Sequence, residues 1–264
     1  MSHTIPEQFK KASGQCQRKL DPAPLDDITS DGGHYKPSGK LEGRKIIITG
    51  ADSGIGRSIA PLFALEGADL TLTYLPEEKE DIQEMVDLIS KKTQGERVIL
   101  TLECDLRKED VCAQILNHGT QNANKYLPTL PTEQWHEVFD TNIHSFFYLT
   151  KAAVPRLEPG SSITFNASIN FAVGHPELTD YTATKGAMIG FMRALSNQIV
   201  GEKGIRCNAV APGPIWTPLV AVILRALCPA TMSKESLHNF GTSVPIGRAG
   251  QPIEVATAFV YLLL

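Results

Sequence analysis

Lys45-Ile-Ile-Ile-Thr-Gly-Ala-Asp-Ser-Gly-Ile-Gly56 is the stretch that decides the fold. It opens as a short apolar run, the pattern of a strand buried on both faces of a parallel sheet. Gly50, Gly54 and Gly56 follow, with Asp52 and Ser53 between them. From Gly54 to Glu66 the chain reads as a helix, with Ile55, Ile59, Leu62, Phe63 and Leu65 apolar and Pro61 expected to kink it. A glycine turn between strand and helix lets the backbone approach a pyrophosphate. The helix N-terminus adds N–H groups and a partial positive charge. Gly50, Asp52, Ser53, Gly54, Ile55 and Gly56 are therefore candidate dinucleotide-binding residues. A tight turn without a ligand is the plainer reading of the motif taken alone.

The same alternation continues outward. Asp69-Leu-Thr-Leu-Thr-Tyr74 reads as a strand, residues from about 77 to 92 as a charged helix, and Arg97 to Cys104 as a third strand. A helix over about 132–157 precedes strand Ser162 to Asn166, and a helix over about 179–200 precedes strand Ile205 to Val210. Strands alternating with helices imply an α/β fold, a doubly wound parallel sheet in three α/β/α layers. Residues 1–43 are polar and read as an arm without its own core, leaving 44–264 as the Rossmann-like catalytic domain.

At 264 residues, with 42% hydrophobic and 20% charged residues, the chain suits one large domain. A net charge of −4 supplies no argument for nucleic acid or an acidic membrane as partner. Cys16, Cys104, Cys112, Cys207 and Cys228 are scattered, without zinc spacing, which favours a reducing compartment. With no apolar signal region and no stretch of membrane-spanning length, the expectation is a soluble, cytoplasmic protein. His136 and His144 lack a third ligand, so no metal is expected.

Asp180-Tyr-Thr-Ala-Thr-Lys-Gly186 carries the chemistry. Tyr181 and Lys185 are four apart and share one helix face. An ammonium there favours the phenolate and draws the tyrosine from its usual value near ~10 toward the range of a general acid/base. A solvated helix face is the plainer alternative.

Taken together, residues 36–262 resemble the short-chain dehydrogenase/reductase family, in particular the branch whose polar N-terminal arm ends in a segment like Ser38 to Gly43. Thr49 to Gly56 match its glycine motif, and Asp105-Leu106 match its adenine-contacting pair. Asn142 matches its relay asparagine. Ser168 matches its serine, thirteen residues before the tyrosine, and Tyr181 and Lys185 match its catalytic pair. Pro212-Gly-Pro-Ile-Trp-Thr217 match the segment that cradles the nicotinamide, through Pro212, Gly213, Ile215 and Thr217. The resemblance implies that Tyr181 exchanges a proton with the substrate oxygen and Ser168 steadies that oxygen. It implies that Lys185 lowers the tyrosine's pKa and holds the nicotinamide ribose, while Asn142 anchors a proton-supplying water. NAD binding usually wants an acid at the end of the second strand, and Tyr74 stands there, with Glu77 and Glu78 beyond it. NADP(H) is accordingly favoured over NAD(H).

Three departures from the family accompany the match. Ten residues separate Asp105 from Leu116, where a parallel crossover normally needs a dozen or more. The family's helix there is expected to be largely missing. Leu116 replaces the first asparagine of the next motif and leaves Asn117 and Gly119 as its coenzyme-binding members. At the other end, Val260 to Leu264 lie in the helix that usually precedes the last strand, so a reduced member or an incomplete sequence is expected. Between them, residues 218–240 form a long apolar substrate lid. Leu219, Val222, Ile223 and Leu227 share one helical stripe.

The favoured function is NAD(P)(H)-dependent interconversion of a carbonyl and an alcohol on a small molecule. The lid tilts the choice toward a bulky apolar metabolite such as a polyketide, terpenoid or steroid. The alternative is a cofactor-binding scaffold with a non-redox catalytic or regulatory role. The resemblance implies a homodimer or homotetramer.

Overall fold

The computed structural model describes residues 24–25, 28–29, 32–107, 117–219 and 240–263. Five parallel strands form: β1 (Lys45–Ile48), β2 (Asp69–Tyr74), β3 (Ile99–Glu103), β4 (Ser162–Asn166) and β5 (Arg206–Val210). Around them lie α1 (Gly54–Leu65), α2 (Lys79–Thr93), α3 (Thr132–Phe139), α4 (Ser145–Ala153), the single turn α5 (Asn170–Val173), α6 (Thr179–Lys203) and α7 (Pro252–Leu262). α1 runs through Pro61 and buries ten of its twelve residues. α6 stops at Gly204, whose φ of 61° ends the helix in the left-handed conformation that glycine adopts without strain.

The predicted helix over about 132–157 is not one α-helix. Residues Asp140–His144 make a π-helical turn between α3 and α4. Such a turn inserts an extra residue and re-aims the side chains around it. Asn142 sits in it, fully buried.

Among the described residues the parallel sheet is in two parts. β1, β2 and β3 form one, with Lys45 beside Asp69 and Leu70 beside Ile99. β4 and β5 form the other, with Ser162 beside Arg206. Asn117 ties the C-terminal ends of β1 and β4 together. Its N–H donates to Thr49 Oγ1 at 2.8 Å, its Nδ2 to Thr49 O at 3.1 Å, and its Oδ1 accepts from Asn166 Nδ2 at 2.9 Å. At the opposite ends of these strands a cavity of about 70 Å³ opens between Lys45–Ile47 and Gly160–Ser162. The crossover expected to lack its helix falls on residues 108–116, outside the described residues.

Each part has its own core. Ile46, Ile48, Ile59, Leu62, Phe63, Leu70, Leu72, Met85 and Phe259 build the first, under α1, α2 and α7. Phe146, Leu149, Ile163, Phe165, Met188 and Ile205 build the second, under α4 and α6. The polar segment before β1 docks on the first. Leu41 is fully buried there, and the buried Glu66 accepts from Tyr35 Oη and, at 2.8 Å, from Lys40 N.

Candidate active site

The glycine turn lies at the C-terminal end of β1. A Cβ at residue 56 would sit 2.2 Å from Gly50 O and 2.4 Å from Asn117 Nδ2, so only glycine fits that approach. Gly54 has φ 56°, and a Cβ there would lie 3.3 Å from Thr217 Cγ2. Ser53 makes no side-chain cap on α1, and the first turn of that helix holds no acid. A backbone cradle at a helix N-terminus with no acid in its first turn fits the diphosphate of a dinucleotide.

Beside the turn, Asp52 is buried and Glu78 is half-buried, and their carboxyl groups are hydrogen-bonded. Glu78 Oε2 also accepts from Leu75 N at 2.9 Å. Burial first, then the charge of Asp52, pushes the Glu78 carboxyl up to about 8. Burial also raises Asp52. At neutral pH the pair therefore holds a proton. Glu78 is thus half-buried against Asp52 rather than fully solvated, and it stands just past Tyr74 at the end of β2. Arg57, a base in the first turn of α1, is buried: its Nη1 donates to Asp52 O at 3.4 Å and to Asp81 O at 3.1 Å, and its Nη2 lies 3.7 Å from Glu84. Asp105 is held by Arg107, with Nη2 to Oδ2 at 2.7 Å, while Leu106 is buried in the second core.

The predicted catalytic residues come together at the C-terminal end of β4. Ser168 follows that strand, and Tyr181 and Lys185 come from one face of α6; all three are buried. The Ser168 side chain lies close enough to the Tyr181 phenol to lower its pKa. Lys185 Nζ donates to Asn166 O at 2.7 Å and stands 5.3 Å from the centre of the Tyr181 ring. The expected electrostatics are reversed. Burial pushes Tyr181 up to about 12, partly offset by Ser168, and burial pushes Lys185 down to about 7. The lysine faces a carbonyl oxygen and the ring, with no anion to hold its charge, so desolvation outweighs the attraction that spacing alone suggested.

Asn142 spends its whole amide on position. Oδ1 accepts from Thr120 N at 2.8 Å; Nδ2 donates to Thr120 O at 2.8 Å and to Thr184 Oγ1 at 3.2 Å. This fixes Gly119, where a Cβ would lie 3.2 Å from Asn142 Oδ1 and 3.8 Å from Lys185 Nζ.

His118 is the residue the sequence reading missed. Its Nδ1 lies 2.8 Å from Thr49 Oγ1 and its Nε2 2.8 Å from Ser145 Oγ, while the ring stacks on Phe146 at 4.7 Å. Burial, then the nearby Lys185, lowers it to about 3, so it is neutral. Only its place between Asn117 and Gly119 signalled a role.

In the segment expected to cradle the nicotinamide, Pro212 O accepts from Ile169 N at 2.9 Å, and Ile215 bridges to Gly250. Gly213 is exposed and Thr217 is buried against the glycine turn. Leu219 is half-buried; Val222, Ile223 and Leu227 lie outside the described residues.

Residues 50–264 match the family model described as enoyl-(acyl carrier protein) reductase. The chain is 40% identical to NADPH-dependent aldehyde reductase 1, chloroplastic, of Arabidopsis thaliana, over 86% of this chain and 82% of that protein. It is 36% identical to the glucose and ribitol dehydrogenase of Daucus carota, over 98% and 90%. The crystal structure of a short-chain dehydrogenase/reductase, glucose/ribitol dehydrogenase, from Brucella melitensis superposes with a TM-score of 0.68 at 30% identity, covering 85% of this chain and 90% of that one. The chain belongs to the short-chain dehydrogenase/reductase family. It is thus an oxidoreductase acting between CH–OH and C=O with a nicotinamide coenzyme, on the Rossmann-like fold that the alternation of elements predicts. Among the described residues no helix is long and apolar enough to cross a membrane, and no group of three His, Cys, Asp or Glu is placed to hold a metal ion.

Proposed function

We propose that this dehydrogenase/reductase uses Tyr181 as its general acid/base, with Ser168 beside it on the substrate oxygen. The observation that carries this reading is the Tyr181 and Ser168 side chains brought together, buried next to Lys185. A bound reduced nicotinamide supplies the hydride to the carbonyl carbon. Tyr181 gives its phenolic proton to the carbonyl oxygen, and the Ser168 hydroxyl donates to the same oxygen as its charge develops. A lysine lowered to about 7 both takes and gives protons near neutral pH, which suits Lys185 to recharge Tyr181. Asn142 is a positioning residue, through Thr120 and Thr184. Gly50, Gly54 and Gly56 hold the diphosphate, while Pro212 to Thr217 line the nicotinamide side.

NADP(H) is preferred over NAD(H) in this reading. Tyr74 occupies the position of the usual acid, and the proton held by Asp52 and Glu78 at neutral pH spares a 2′-phosphate from a second negative charge. The Arabidopsis relative is by name NADPH-dependent. The substrate is a small aldehyde, sugar or sugar alcohol, the classes that the two named relatives carry. The apolar-metabolite expectation rests on Val222, Ile223 and Leu227, which lie outside the described residues. A cytoplasmic location accords with the scattered cysteines, of which Cys104 and Cys207 are free thiols, and a homodimer or homotetramer remains the expected assembly from the family resemblance. Turnover across aldehydes, sugars and bulky apolar ketones, with NADPH and with NADH, tests the reading. Absence of turnover with every pair, despite coenzyme binding, would favour the non-redox alternative.

A further inference from the structure

Among the described residues β3 is an edge strand with an apolar face. Val98, Leu100 and Leu102 are 56%, 58% and 44% exposed, whereas Ile99 on the other face packs on the first core. Three alternate apolar side chains in water on an unpaired edge are what natural sheets avoid, since they template pairing with another chain. The hydrogen bonds say which backbone groups are outward. Leu70 N donates to Val98 O at 2.9 Å and Cys104 N to Tyr74 O at 3.0 Å, so the even-numbered residues of this strand face β2. Alternation then turns the N–H and C=O of Ile99, Thr101 and Glu103 away from the sheet. Among the described residues no strand meets them.

We propose that β3 is a self-pairing edge: a second copy of this chain docks antiparallel along it, with the two-fold axis at Leu100. This register is the one that satisfies backbone, side chains and charge together. Ile99 and Thr101 of opposite copies form a hydrogen-bonded pair from their outward groups. Val98 lies beside Leu102 of the second copy, and Leu100 lies beside its own counterpart on the axis. Arg97 falls opposite Glu103, so no like charges meet directly across the seam. Arg97 is already oriented by Glu42 at 3.1 Å and Gly67 O at 2.8 Å. The two three-stranded parallel sheets become one six-stranded sheet with an antiparallel seam. The chain's own link is too short to take this place. The nine residues 108–116 connect Arg107, past the C-terminal end of β3, to Asn117, bound at Thr49 past the same end of β1. Nine residues reach about 30 Å. Running down the five residues of β3 and back takes about 34 Å before the step across to β1.

The test uses the full-length chain and light scattering. Leu100→Lys places a charge on the seam, and Thr101→Pro removes an outward N–H that the parallel sheet does not use. Either substitution is expected to halve the mass of the assembly while coenzyme binding and melting temperature hold. Oxidative cross-linking is the second measurement. Leu100→Cys brings two thiols together at a non-hydrogen-bonded pair, about 4.5 Å between Cα atoms, which a disulfide spans. Val98→Cys puts them four residues out of register, about 13 Å apart, which it does not. A covalent dimer from Leu100→Cys, above the wild-type background and absent from Val98→Cys, supports the seam. The proposal is overturned by a wild-type chain that stays monomeric, by a mass unmoved in both variants, or by equal cross-linking at the two positions. The first of these would point to a segment of the same chain, such as the arm, as the cover for β3.

Discussion

Glu78 shares a hydrogen bond with Asp52 beside the glycine turn, and burial raises both carboxyl groups, so the pair is protonated in part at neutral pH. Glu78 titrates at about 8 in the folded chain, against an ordinary 4.5. As pH rises through 8 the pair gains negative charge beside the expected position of the adenosine ribose. A 2′-phosphate should feel that charge; a 2′-hydroxyl should not. We predict that the affinity ratio of NADPH to NADH falls by about tenfold between pH 7 and 9.5. Glu78→Gln should flatten the profile. Fluorescence titration with each coenzyme checks this, and a ratio that ignores pH in the wild type would refute it.

The same shift has a stability consequence. A carboxyl raised in the folded state stabilises the fold fully below its unfolded value and loses that contribution as pH rises through about 8. Lys185 works in the opposite direction, since its folded value is lowered to about 7, so stability from it grows with pH above 7. The wild-type melting curve mixes the two, and the variant separates them. Glu78→Gln should gain melting temperature relative to wild type, with the gain growing from pH 5 to pH 9.

Tyr181→Phe removes the only hydroxyl placed beside Ser168 by α6. We predict a loss of about 10²–10⁴-fold in kcat, the range for a positioned acid/base, with coenzyme affinity within a few-fold. Retention of a tenth of wild-type kcat would remove Tyr181 from the proton transfer. Lys185→Ala should weaken both coenzyme binding and rate, and normal coenzyme affinity in that variant would contradict its ribose contact.

These residues were legible because their signals are local. The glycine turn, the Tyr181–Lys185 spacing and the alternation of strands with helices each occupy a few consecutive residues. The missed features are relationships between distant ones. Glu78 reads as a solvated helix start until Asp52, on another turn, is brought against it. The π turn at Asp140–His144 has the same apolar spacing as an α-helix, so periodicity does not reveal it. Burial decides the pKa directions of Tyr181 and Lys185, and burial is a property of the packed chain. The exposed face of β3 is likewise a property of the packed chain: the alternation of Val98, Leu100 and Leu102 with Ile99 is that of any strand, and does not say which side is left uncovered.

His118 supplies the last prediction. It clamps Thr49, at the head of the glycine turn, to Ser145, at the start of α4, and its ring fills the space over Phe146. Replacing it with alanine deletes a buried ring and leaves two hydroxyl groups short of a partner. Ser145 retains its bond to Thr141 O at 2.6 Å, so the loss falls mainly on packing and on Thr49. We expect His118→Ala to cost about 2–4 kcal/mol. The pH sign is fixed by its lowered value of about 3. A histidine depressed in the fold contributes fully above its unfolded value near 6.5, and that contribution is lost as pH falls toward 3. Wild-type stability should therefore decline below about pH 6.5 more steeply than that of His118→Ala, so the two unfolding curves converge in acid. Denaturant titrations at pH 7.5, 6 and 4.5 check this. A gap between wild type and variant that stays constant with pH would show that His118 is not the buried neutral clamp described, whatever its effect at pH 7.5.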